Sequence, residues 1–301
     1  MKPLDRILIN NDTSYSPIWI MRQAGRYLPE FRKIREKNPN FINLCLNESL
    51  SSEITLQPIQ RFDLDAAIIF SDILMLPYGL GQKVEFIKNF GPKLGELNLS
   101  NIDKINEIDF IQKVDPVYKA IKKVSSDPIL KNKNTIGFVG APWTLLVYMI
   151  NQQSPKKELK KNFFKDEFYI NKTLLIIEKF LKVHIKNQID SGANVIQIFD
   201  SWAGLLEERH LSKYIYAPTV NLVNYVKSLN IPVICFPREI KNYGKFCEII
   251  KPDAISIDYN VDPKKIVKTI KIPIQGGLDP KILLTDKDTL KKEASKYLDI
   301  F

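Results

Sequence analysis

The chain has 301 residues, 45% hydrophobic and 26% charged, enough for one large buried core within the size range of single-domain α/β barrels. Its longest apolar runs, 66–70 and 144–150, fall well short of the ~20 residues a membrane-spanning helix needs, and MKPLDRILINNDTS carries charge and amides where a signal peptide is apolar; a cytoplasmic protein without membrane association is expected. The net charge of +10 comes mostly from Lys dispersed along the chain, which gives no reason to expect a nucleic-acid partner, and three cysteines without C-x-x-C spacing give neither a disulfide framework nor a zinc signature.

Short runs rich in Ile, Val and Phe recur at 18–21, 66–70, 136–139, 195–199, 233–236, 254–257 and 272–274, and read as buried parallel strands. Amphipathic stretches lie between most of them. Leu46, Leu50 and Ile54 share a helical face; so do Ile177, Leu181, Ile185 and Ile189, ending at Gly192; a further stretch with Leu222, Val223, Val226 and Leu229 stops before Pro232. The alternation predicts an α/β fold. Residues 84–93 read as an extra hairpin.

Polar residues follow each strand. Arg22, Gln23 and Arg26 come after the first, Ser71 and Asp72 after the second, and Pro142 and Trp143 after the third, with Tyr148 further on. Asp200 and Ser201 follow the fourth, Arg238 the fifth, Asp258 and Tyr259 the sixth, and Gly276 and Gly277 the seventh. A (β/α)₈ barrel gathers its catalytic groups at these C-terminal strand ends. An open doubly wound sheet uses the same edge, so the pattern locates a site without separating the two folds.

Arginine is distributed unlike lysine. Of eight arginines, Arg22, Arg26, Arg32 and Arg35 fall in one 14-residue window, where random placement would put fewer than one. The guanidinium fork is suited to carboxylate or phosphate, so the cluster predicts an anionic ligand. For Arg32, capping or bridging a surface helix is the favoured role. Asp72 is evenly balanced between a site carboxylate and a cap of the following helix, and Tyr148 could equally be a helix-core aromatic. Asp200 reads as a strand-end hydrogen-bond partner, and His184 and His210 as structural.

The segment MRQAGRYLPEFR at 21–32 is similar to the signature of uroporphyrinogen decarboxylases. AAIIFSDIL at 66–74, GFVGAPWTL at 137–145 and PIQGGLDP at 273–280 resemble further motifs of that family in order and spacing. The resemblance runs from near residue 4 to the end. It implies a (β/α)₈ barrel in one domain, 1–301, that decarboxylates the four acetate arms of uroporphyrinogen III to give coproporphyrinogen III, with neither metal nor organic cofactor, as a homodimer.

Carried over by motif, Arg22, Gln23, Ala24, Gly25, Arg26 and Arg35 bind substrate carboxylates, Asp72 and Arg22 are catalytic, and Asp72, Tyr148 and Ser201 also contact substrate. Asp72 would face the pyrrole N–H groups and stabilise a cationic intermediate, and Arg22 is a candidate for proton delivery. Two departures stand out. Gly277 occupies a position where most relatives have asparagine, and no Asn-Leu-Gly-His-Gly turn precedes Phe301. With seven strands counted, the expectation is a barrel lacking its eighth strand in a C-terminally truncated chain. The alternatives are an inactive remnant of the decarboxylase and a methyltransferase of the same superfamily, whose zinc would require an H-x-C pair that is missing around Cys235 and Cys247.

Overall fold

A computed structural model describes residues 1–155 and 158–300. The first four elements are helices: α1 (Pro3–Asn10), α2 (Pro29–Lys37), α3 (Phe41–Cys45) and α4 (Glu48–Arg61). Proline opens α1 and α2, where its missing N–H costs nothing. Asn47 starts α4 by accepting the N–H groups of Ser49 and Leu50. Strands and helices then intermix: β1 (Ala66–Ile68), α5 (Met75–Gly79), β2 (Val84–Ile87), β3 (Gly91–Leu94), α6 (Leu99–Asp103), α7 (Glu107–Ser125), β4 (Asn134–Gly140), α8 (Pro142–Asn151), α9 (Glu167–Asp190) and β5 (Val195–Asp200). Then come α10 (Glu208–Leu211), α11 (Ala217–Ser228), β6 (Val233–Pro237), α12 (Tyr243–Ile250), β7 (Ala254–Ile257), α13 (Pro263–Thr269), β8 (Ile274–Gly276) and α14 (Lys287–Leu298).

Strands β2 and β3 pair antiparallel, as the hairpin read at 84–93. The other six strands form one parallel sheet in the order β1-β4-β5-β6-β7-β8, curled into part of a barrel with the helices outside. Strand alternation separates two cores. Ala66, Ile68, Ile136, Val195, Ile234 and Ala254 face the lumen, where Leu4 of α1 closes the bottom; Ala67, Ile69, Val139, Ile196, Ile198, Cys235 and Ile255 face the helices.

The strand expected at 18–21 does not form. Pro17 has no N–H to give a ladder, and the Ile18 N–H is taken by the Asp65 side chain at 2.6 Å. A single backbone bond, Asp65 N–H to Ile18 O at 2.8 Å, ties the segment to the sheet before Gln23 N–H turns back to Ile20 O. Trp19 packs on the lumen cluster, whereas Ile18 and Ile20 are exposed. The last strand is also displaced: pairing covers Ile274–Gly276, with Pro273 contributing only its carbonyl, to Ile255 N–H.

Candidate active site

The C-terminal ends of the strands carry the site. Above the lumen-facing aliphatic residues sit Phe138 and Phe199, in edge-on contact at a centroid distance of 5.6 Å, with Phe236 half-buried beside them. Two residues further along the chain from each come Gly140, Ser201 and Arg238, at or just past the strand ends. Phe70 precedes Asp72 by the same interval and packs edge-on against Phe31 and Phe41. The mouth is therefore layered, with an aromatic floor below a polar rim. Strand composition alone does not separate Phe138, Phe199 and Phe236 from core residues; the repeated Phe-x-rim spacing is the signal that marks them, whereas Phe70, at the same interval from Asp72, packs among the helices.

Asp72 is half-buried, and its Oδ1 accepts the Leu74 N–H at 2.8 Å. Burial pushes its carboxyl up to about 6, against the Leu74 bond and the Arg22 charge, both of which pull it down. The aspartate thus takes the helix-start role through one oxygen while lying within electrostatic reach of Arg22. Tyr148, half-buried on α8, is raised by burial and by the Asp72 charge, with Arg22 again opposing. Its ring meets Trp202 edge-on at 5.8 Å. Arg22, Asp72 and Tyr148, from three separate segments, therefore share one electrostatic environment. Ser201 lies on the rim between Asp200 and Trp202, half-buried.

The arginine segment is a tightly turned loop. Leu28 N–H closes it onto Gly25 O at 3.0 Å, the Tyr27 hydroxyl donates to Gln23 O, and Arg32 Nη1 donates to the carbonyls of Arg26 and Tyr27 at 2.9 and 3.3 Å. Arg22 and Arg26 project from it exposed. Gln23 is buried: its Nε2 donates to Ala66 O at 3.0 Å and its Oε1 accepts the Ile20 N–H at 3.2 Å. Its amide pins the loop to the start of β1. Ala24 packs on Leu28, Phe31, Leu44 and Ile54. A side chain at Gly25 would meet only the Tyr27 ring, at 3.6 Å, so the chain's own packing leaves this stretch of backbone approachable.

Arg35 bonds Asn38 O and lies 5.8 Å from the Phe41 ring centroid; burial, and then repulsion from Arg26, lowers its pKa. At the far side of the mouth, Gly276 and Gly277 both take left-handed φ, +77° and +86°. A Cβ on Gly277 would strike the Tyr297 hydroxyl and Ile257. Tyr297, which donates to Gly276 O at 2.6 Å, occupies the space where a side chain at residue 277 would stand.

The histidines serve packing. His184 is buried in hydrogen-bond contact with Tyr118 at 2.8 Å, and burial lowers it to about 4. His210 stacks on Phe164 at 4.8 Å. Cys45 and Cys235 are buried and Cys247 partly so. Among the described residues, no three His, Cys, Asp or Glu side chains gather as a metal site, and no helix is long and apolar enough to cross a membrane.

Fold and site together define an α/β-barrel protein whose strand-end mouth joins an arginine loop to a half-buried aspartate. A solved methyltransferase from Methanosarcina mazei shares this fold, with a TM-score of 0.77 at 17% identity over 99% of this chain and 88% of that one. In sequence, the family model for uroporphyrinogen decarboxylase (URO-D) matches residues 1–301. The uroporphyrinogen decarboxylase of Rickettsia bellii is 41% identical over 94% of this chain and 85% of that protein. Those of Rickettsia felis and Rickettsia massiliae are each 38% identical, covering 96% and 99% of this chain and 85% and 87% of theirs. The chain belongs to the uroporphyrinogen decarboxylase family.

Proposed function

We propose that the chain decarboxylates uroporphyrinogen III to coproporphyrinogen III. The observation that carries this reading is the half-buried Asp72 carboxyl within electrostatic reach of Arg22, at the mouth of an aromatic-floored lumen. The macrocycle's apolar body suits that floor, and its carboxylate arms suit the arginine loop. A proton added to the pyrrole carbon next to an acetate arm leaves the ring cationic. The bond from the acetate methylene to its carboxylate then breaks, CO₂ departs, and the electron pair neutralises the ring. Protonation of the exocyclic carbon completes the methyl group, and loss of the first proton from the ring carbon restores the neutral pyrrole, so that one proton is consumed for each CO₂ released. The substrate is thus its own electron sink and the chemistry calls for no cofactor.

In this scheme the Asp72 carboxylate receives pyrrole N–H groups and stabilises the cation electrostatically in a water-poor site. Arg22, Arg26 and Arg35 pair with carboxylate arms through charge-assisted bonds, the Ala24–Gly25 backbone lies beneath them, and Tyr148 and Ser201 supply hydroxyls to further arms. Gln23 acts by holding the loop. For Arg22, binding a carboxylate fits better than delivering a proton, since an arginine pKa lies above ~12.

A cytoplasmic location and a homodimer belong to the same proposal and are supported by the family resemblance. Light scattering on the purified chain reports the mass. The deciding assay is anaerobic incubation with uroporphyrinogen III, with products resolved by carboxylate number. Stepwise loss to the tetracarboxylate, undiminished by a chelator, is expected; unchanged octacarboxylate would refute the reading.

A further inference from the structure

We propose that Asp200 and Thr144 are positioning residues that fix Tyr148 and Ser201 at the mouth through one shared hydroxyl; this rests on the substrate-contact reading of those two residues. Asp200 ends β5 on the side facing the helices, in line with Ile196 and Ile198, whereas Val195 and Phe199 face the lumen. It is therefore turned away from a ligand in the lumen. The first turn of α8 covers it. Thr144 Oγ1 donates to Asp200 Oδ1 at 2.6 Å and accepts the Trp202 N–H at 3.1 Å. One threonine hydroxyl thereby holds the residues on both sides of Ser201.

Thr144 also lies one helical turn before Tyr148, on the same face of α8, so the bridge that fixes Ser201 fixes the tyrosine as well. Two further bonds close the junction: Ala141 N–H to Phe199 O at 2.8 Å and Trp143 Nε1 to Trp202 O at 2.9 Å. The Tyr148 ring packs on Trp202. Thr144 and Trp143 thus bond the two residues that flank Ser201, while the Ala141 bond ties the start of the helix to the end of β5.

A plain strand-end cap explains less. Asp200 is buried, and among the described residues its Oδ2 has no hydrogen-bond partner. Burial pushes its carboxyl up to about 7, against the Thr144 bonds. A half-satisfied carboxyl in a packed layer is costly compared with an apolar side chain of the same size. What it provides in return is an acceptor aimed at Thr144, and hence a fixed orientation for α8 relative to the loop that carries Ser201.

The test is a mutant cycle with single-turnover decarboxylation of uroporphyrinogen as readout and circular dichroism to verify folding. Thr144→Val is nearly isosteric and removes both bonds; it should lower kcat/KM by about tenfold. Thr144→Ser keeps the hydroxyl and should stay within about threefold of the parent. In a Tyr148→Phe, Ser201→Ala background, Thr144→Val should cost less than about twofold, because the residues it positions are no longer there. An equal loss in both backgrounds, no loss in the parent, or failure of Thr144→Ser to recover activity would each overturn the proposal. Full turnover by the Tyr148→Phe, Ser201→Ala protein would instead refute the substrate-contact reading, and this proposal with it.

Discussion

The Asp72 carboxyl sits half-buried with one bond, from the Leu74 N–H, and a pKa raised to about 6. Its folded value lies above the ordinary 3.8, so between those values the folded chain binds more protons than the unfolded one. The stability contribution is complete below pH 4 and is lost as pH rises through 6. By pH 8 the charged group costs about 2–3 kcal/mol. Asp72→Asn retains an acceptor for Leu74 and removes that cost, so its melting temperature at pH 8 should exceed the parent's by about 4 °C, with no gain at pH 4. Turnover should disappear, because the cation loses its counter-charge, and the parent's kcat/KM should fall on the acid side with an apparent pKa near 6 as Asp72 protonates. Equal melting curves at pH 8 would show that the carboxylate is solvated; normal turnover would show that it is not the stabilising group.

The arginine loop shows how a surface segment can depend on one buried amide. Gln23 joins Ala66 O to Ile20 N–H, and Arg22 and Arg26 hang on either side of it. Gln23→Ala would leave both backbone groups without their partner, a cost of about 1–3 kcal/mol, and should raise KM through the displaced arginines. An unchanged KM in a destabilised protein would mean that the loop keeps its shape without the pin. The position of this loop after the first apolar run was legible in sequence from the arginine clustering, although the strand it was expected to follow does not form. The role of Gln23 was not, since an amide in an arginine-rich motif looks the same whether it faces ligand or protein. The run at 18–21 misled for a related reason: Ile-Trp-Ile has strand composition, but whether it pairs depends on Pro17 and on the distant Asp65. Asp200 was legible as a hydrogen-bond partner, yet the identity of that partner, Thr144, follows only from how α8 crosses β5.

Across the whole molecule the two ends of the sheet have different duties, as barrels of this kind require. At the bottom, Leu4 of α1 inserts among Ala66, Ile68, Ile136, Val195, Ile234 and Ala254. Its backbone N–H donates to Asn134 Oδ1 at 2.9 Å, while Asn134 Nδ2 donates to Asp5 and Asn194 at 2.7 and 3.2 Å. Asp72, Tyr148 and Ser201 all lie at the opposite ends of the strands, beyond Phe138 and Phe199. Leu4→Ala empties a site that packed aliphatics cannot readily refill and should destabilise the chain by about 2–3 kcal/mol. Provided the assay runs well below the melting temperature, kcat/KM should stay within about twofold of the parent, since well-separated sites act independently. A loss of kcat comparable to that from Thr144→Val would mean that strain at the bottom of the lumen reaches the mouth through β4 and β5, the strands against which α1 and α8 respectively are anchored.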